Sequence, residues 1–160
     1  MRTLLLIPAI AFSILCLGQI PEGVYGNSVI DFVYEHLEEK IGKGVCFDLV
    51  VQAHGGKKFL KKWDNKSKYK IATYSKTKKA GLDKIQAGDV ICFGTKHIGI
   101  VLECDGEKVE YAEQNVGYEK AKRVREYGKW IYVFKDSRVI ISSINISDIK
   151  NITLSFYRFN

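Results

Sequence analysis

Residues 85–115 read IQAGDVICFGTKHIGIVLECDGEKVEYAEQN. In this stretch the apolar residues recur with a period close to two, the signature of half-buried strands. Ala87-Gly88-Asp89 marks a turn, residues 90–93 one strand and residues 98–102 the next. Asp105-Gly106 is a hairpin signal, after which residues 109–115 return as a third strand. Downstream, residues 130–135 read as another strand, and residues 139–144 with 152–159 as a closing hairpin.

Upstream the spacing is helical. Val29, Phe32, Val33, Leu37 and Ile41 recur on one side, with Asp31, Glu35, Glu38, Glu39 and Lys40 on the other. Asn27 or Ser28 caps this helix and Gly42 ends it. The loop Gly42-Lys43-Gly44-Val45 leads into Cys46, where Phe47, Leu49, Val50, Val51 and Ala53 begin a short second helix that stops at His54-Gly-Gly. Two helices followed by about six short strands predict an α+β fold, with a mainly antiparallel sheet covered on one side. Neither a repeat nor a linker interrupts the pattern. Residues 19–160 therefore read as one domain, with its core over about 28–135 and a C-terminal hairpin at 137–160.

Residues 1–18, MRTLLLIPAIAFSILCLG, have the form of a secretory signal: a positive start, an apolar run, then small residues before Gln19. The apolar run is short for a membrane span, and no later segment qualifies as one. The expected protein is thus secreted, without a stable membrane anchor. Leu15 stands before Cys16 where a lipoprotein signal wants a small residue, so lipid attachment is not expected.

The 160-residue chain is 46% apolar and 27% charged, which excludes wholesale disorder. Its net charge of +7 is unevenly spread: residues 57–79 hold ten lysines and one acid, Asp64, and the remainder is slightly acidic. Trp63, Tyr69, Ile71 and Tyr74 are the apolar anchors of that lysine-rich segment. Aromatics interleave with the lysines, but no groove-reading motif accompanies them, so nucleic acid is not an expected partner.

Beyond the leader the cysteines are Cys46, Cys92 and Cys104, an odd number that leaves at least one thiol free. Strand spacing holds Cys92 and Cys104 too far apart to bridge. No close Cys or His pair has metal-ligand spacing, so neither a metal nor a cofactor is expected. The sequons at Asn65, Asn145 and Asn151 matter only in a eukaryotic secretory route.

Cys46, where a glycine-flexed loop becomes a helix, occupies a position that favours a thiolate. His97, just after the Gly94-Thr-Lys turn, is the best placed base of the three histidines. His36 lies on the polar side of the first helix and His54 at a helix end. A catalytic imidazole also needs an acceptor that fixes its tautomer. A three-residue loop at 104–106 would pair His97 with Glu113 and leave Asn115 diagonal on the same face. A tight Asp-Gly loop would bring Gln114 there instead.

Gly-x-Cys at a helix start, Ala-Gly-Asp-Val-Ile, His-Ile-Gly-Ile-Val and Glu-Gln-Asn, in this order, resemble the papain-like NlpC and CHAP superfamily of cysteine peptidases and amidohydrolases. The wording is most similar to a eukaryotic branch, the cysteine-peptidase-like domain of a fungal actin-patch protein, and the resemblance spans roughly residues 28–135. It implies a small papain-like fold, with Cys46 as nucleophile, His97 as general base, Glu113 as the orienting residue and Asn115 as an additional polar residue. The sequence departs from the pattern at Val116, where bacterial members often carry an aromatic, and at Ala87, where proline is usual.

The expected activity is a secreted hydrolase acting on a peptide or other amide-bearing substrate through a thioester. Cell-wall material or an anionic glycan is a candidate carrier of that amide. The Cys46 N–H is the natural oxyanion donor, with Tyr25 or a residue of the lysine-rich segment as a second. The alternative is a binding module with an unused site, docking on an anionic glycan or surface through residues 57–79.

Overall fold

The computed structural model describes residues 28–117 and 119–159. Residues 1–18, read above as a secretory signal, with Cys16 among them, and Tyr25 and the Asn27 cap lie outside them. Three helices, α1 (Ser28–Glu35), α2 (Cys46–Ala53) and α3 (Lys57–Trp63), precede the strands. The strands are β1 (Lys70–Tyr74), β2 (Lys79–Ala80), β3 (Val90–Phe93), β4 (His97–Cys104), β5 (Lys108–Glu113), β6 (Lys122–Glu126), β7 (Lys129–Val133), β8 (Ile140–Asn145) and β9 (Leu154–Tyr157). Seven form one antiparallel sheet in the order β2-β1-β9-β3-β4-β5-β8, and β6 with β7 forms a separate ribbon. The α+β class holds, with three helices in place of two and nine strands in place of six.

The differences have physical causes. The first helix stops at Glu35 because Glu38 takes a left-handed φ of 64° and the backbone of Glu38 and Glu39 bonds to Val139 instead. Ile41 is buried and Leu37 still packs on the core, so the periodic residues are inside without a continuous helix. The unexpected α3 sits in the lysine-rich segment. Phe59, Leu60 and Trp63 make its apolar stripe, and Phe59 and Trp63 stack around Phe47 and Phe159.

The closing hairpin does not form. β9 is buried along all four residues and lies between β1 and β3, whereas β8 alternates half-buried with exposed residues and takes the edge beside β5. A strand buried on both faces needs neighbours on both sides, and β8 offers an apolar row on one face alone. The sheet is likewise not covered on one side only. Val90, Ile98, Ile100 and Leu102 pack against the helices, while Ile91, Phe93, Val101, Leu154 and Phe156 build a second core with Ile85 and Ile146.

One ion pair, buried at its carboxylate, ties the central strands β3 and β9 together at their ends. Asp89, 1% exposed, accepts Nε and an Nη of Arg158 at 2.8 and 2.9 Å, and its other contact is the Gln86 N–H at 2.7 Å. The Gly-Asp motif is therefore a staple between the turn before β3 and the end of β9.

Candidate active site

Cys46 is the first residue of α2, and the loop before it is held from two sides. Gly42 and Gly44 have φ of 58° and 87°, values open to glycine at little cost. They let the chain curl around Asp48, whose Oδ2 accepts the N–H groups of Lys43, Gly44 and Val45 at 2.9, 3.1 and 3.2 Å. Its Oδ1 accepts the Tyr127 hydroxyl at 2.8 Å, tying the β6–β7 ribbon to the same helix turn. A Cβ on Gly42 would meet the Asp48 carboxyl at 2.8 Å, so this close wrapping excludes other residues.

On the other side stands Gln114, fully buried. Its Oε1 accepts the Ile41 N–H at 2.7 Å, and its Nε2 donates to the carbonyls of Ile41 and Val45 at 3.1 and 2.9 Å. Gln114 was one candidate for orienting His97. Alternation along β5 turns it to the face away from Glu113, where it holds the approach to Cys46.

His97 opens β4. Its Nε2 lies 2.6 Å from Oε2 of Glu113, and the Cys46 side chain stands beside the imidazole. With Nε2 taken by the carboxylate, Nδ1 is the nitrogen left free to exchange a proton with the sulfur. Burial alone would lower the His97 pKa. The hydrogen bonds and charges of Cys46 and Glu113 outweigh it and raise the value to about 9.

The register that delivers Glu113 is neither of the two expected. Glu113 pairs with Gly99, and a bulge at Leu102 shifts the ladder by one before the hairpin, where Asp105 N–H closes the turn on the Lys108 carbonyl at 3.2 Å. Gly106, with φ of 93°, is the first turn residue, so the tight turn sits one residue later than Asp-Gly suggests. Gly99, opposite Glu113, has no side chain, and the Glu113 carboxylate reaches the diagonal His97.

The remaining candidates have other partners. Asn115, at φ 68°, receives the Phe134 N–H on its Oδ1 and donates Nδ2 to the Tyr132 carbonyl. It fastens β7 to the end of β5 and is not hydrogen-bonded to His97, on whose face a longer β5 would have set it. His36 donates Nδ1–H to the Phe32 carbonyl, and His54 spans the carbonyls of Val50 and Gly88, where burial lowers its pKa. Cys92 and Cys104 are free thiols, and burial pushes the Cys92 thiol up to about 12.

Ser142 on β8 donates to Oε1 of Glu113, a contact no local pattern in the sequence announces. Among the described residues, no group of three His, Cys, Asp or Glu side chains is placed to hold a metal ion, and no helix is long and apolar enough to cross a membrane. Two surface hollows of about 310 and 240 Å³, one by Tyr74, Lys79 and Glu107 and one by Asp64, Lys66 and Lys70, lie apart from Cys46, His97 and Glu113.

A thiol at a helix start, an imidazole beside it and a carboxylate behind the imidazole form a constellation able to generate and hold a sulfur nucleophile. Compared with protein-family models, curated proteins and solved structures, the chain matches none of them.

Proposed function

We propose that the protein is a secreted cysteine-dependent amide hydrolase of the papain-like NlpC/CHAP kind, with Cys46 as nucleophile and His97 as base. The observation that carries this reading is the Glu113 carboxylate 2.6 Å from the His97 imidazole with the Cys46 side chain beside that ring, assembled from three separate elements. Cys46 gives its proton to His97 and the sulfur attacks the carbonyl carbon of the amide. The Cys46 N–H, at the start of an eight-residue helix and outside its internal ladder, faces the developing oxyanion. The C–N bond breaks as His97 returns the proton to the leaving amine. Water, deprotonated by His97, then opens the thioester, releasing the acid and restoring the thiol.

Glu113 supplies two things to that cycle: a fixed tautomer with Nδ1 toward sulfur, and a counter-charge for the imidazolium. Iodoacetamide labelling at about pH 6 tests the reading. Cys46 should label far faster than Cys92 and Cys104, whose thiols burial pushes up. His97→Ala should slow Cys46 to their rate. Equal, slow labelling of all three cysteines in the native protein would sink the hydrolase.

The second reading, a binding module, is favoured by the lysines of residues 57–79. Lys57, Lys58 and Lys61 stand exposed on α3, whose Phe59 and Trp63 share an aromatic cluster with Phe47, next to Cys46 in the chain. Under the hydrolase reading the same lysines would steer an acidic substrate toward the thiol. Retention on an anionic resin that weakens steeply with salt and vanishes on neutralising these lysines supports a docking role.

A further inference from the structure

We infer that Ser142 is a positioning residue for the Cys46–His97 pair, fixing the Glu113 carboxylate through a hydrogen bond to the oxygen that His97 does not use. The inference rests on the hydrolase reading for its role, though its geometry stands independently.

Glu113 is 6% exposed. A buried carboxylate needs donors on both oxygens, or it swings toward whatever donor it can find. Oε2 is held by Nε2 of His97 at 2.6 Å, and Oε1 receives the Ser142 hydroxyl. With both oxygens held, the plane of the carboxylate is set, and with it the direction from which the imidazole is gripped.

The fold delivers Ser142 deliberately. β8 pairs with β5 so that Ser142 stands opposite Tyr111 and Ile140 opposite Glu113, which makes Ser142 the diagonal neighbour of Glu113 on a shared face. The half-buried row of β8 is Ile140, Ser142 and Ile144. Its one hydroxyl falls at the position that reaches the carboxylate, between two apolar residues. The chain hydroxyl–carboxylate–imidazole–thiol then runs across β8, β5, β4 and α2.

The titratable groups around Glu113 are His97 from β4, Cys46 from α2 beyond it, and Tyr111 on its own strand. Burial and the Glu113 charge push the Tyr111 phenol up to about 12, so it stays neutral throughout the working range. Ser142 is thus a neutral donor to the charged Glu113 carboxylate. That charge is one of the influences holding the proton on His97.

Ser142→Thr and Ser142→Val make a matched pair, equal in shape and differing in the hydroxyl, on the full chain. Two readouts are followed in each: Cys46 alkylation by iodoacetamide across pH, and the His97 ring signals by NMR titration. Ser142→Thr should stay within about twofold of wild type at pH 6. Ser142→Val should fall about tenfold, the scale of one lost hydrogen bond to a charged group, and its His97 midpoint should drop by about one pH unit. Thr and Val variants that behave alike in both readouts overturn the inference. If wild-type Cys46 labels no faster than Cys92 and Cys104, the hydrolase reading fails, while the NMR contrast between Thr and Val still decides whether Ser142 positions Glu113.

Discussion

Replacing Glu113 by glutamine keeps the length of the side chain and an acceptor oxygen while deleting the charge. In the native protein His97 is raised from 6.5 to about 9: burial pulls it down, and Cys46 and Glu113 lift it by hydrogen bonding and by charge. That rise corresponds to roughly 3 kcal/mol of preference for the imidazolium in the folded state, divided between the two partners. The folded value lies above the unfolded one, so the stabilisation is fully present below about pH 6.5 and is lost as pH rises through about 9. With the Glu113 charge gone and the burial unchanged, the His97 midpoint should fall toward 6.5 or below. NMR titration of the His97 ring reads this directly. Urea unfolding at about pH 6 and about pH 9.5 reads it a second way. Wild type should lose more stability across that interval than Glu113→Gln, by roughly 1 kcal/mol or more. A variant whose His97 still titrates near 9, or whose stability falls with pH as steeply as wild type, would refute the assignment of Glu113 as holder of the imidazolium.

Three further outcomes follow from the same geometry. Gln114→Ala strands the buried Ile41 N–H, while the Ile41 and Val45 carbonyls keep the N–H groups of Gly44 and Asp48; denaturant titration should show a loss of about 1–3 kcal/mol, with slower Cys46 alkylation because the approach loop is freed. Arg158→Ala leaves the Asp89 carboxylate buried and unpaired, a loss of about 3–5 kcal/mol in urea titrations, and Arg158→Lys should recover little because the contact is two-pronged. Gly99→Ala would set a Cβ 2.5 Å from the Ala112 carbonyl; the strands must part, at about 1–3 kcal/mol, and Glu113, opposite Gly99, should lose His97, seen as a lowered His97 midpoint.

What could be read from the sequence was local. Cys46 falls at a helix start because two glycines free the chain just before an apolar helical run, and both signals lie within a few residues of it. His97 follows a turn and opens an alternating strand, also a local signal. The partner of His97 was legible as a short run, 113–115, but not as a residue, because the register depends on a bulge at Leu102 that alternation does not reveal. Once Glu113 faces His97, period two sends Gln114 the other way, a consequence available to anyone who fixes the register first. The α3 helix had its own signal in Phe59, Leu60 and Trp63, masked by the lysines around them. Ser142 and the insertion of β9 depend on pairings between distant segments, where the tendency of successive strands to be neighbours points wrongly to a hairpin.

The position of β9 has a consequence for how the molecule comes into being. Its residues pair with Tyr74 on one side and Phe93 on the other, both made long before Leu154 leaves the ribosome. Until then β1 and β3 each present a bare edge, and the growing chain carries an open slot in the middle of its sheet. Closing that slot demands contacts of large sequence separation, which are slow to form. Asp89, too, waits for Arg158 before its charge is matched. The sheet that bears His97 and Glu113 is therefore completed late, so a nascent or truncated chain holds its thiol without the finished scaffold around it. The surroundings of Cys46, His97 and Glu113 gain their full support when β9 is in place.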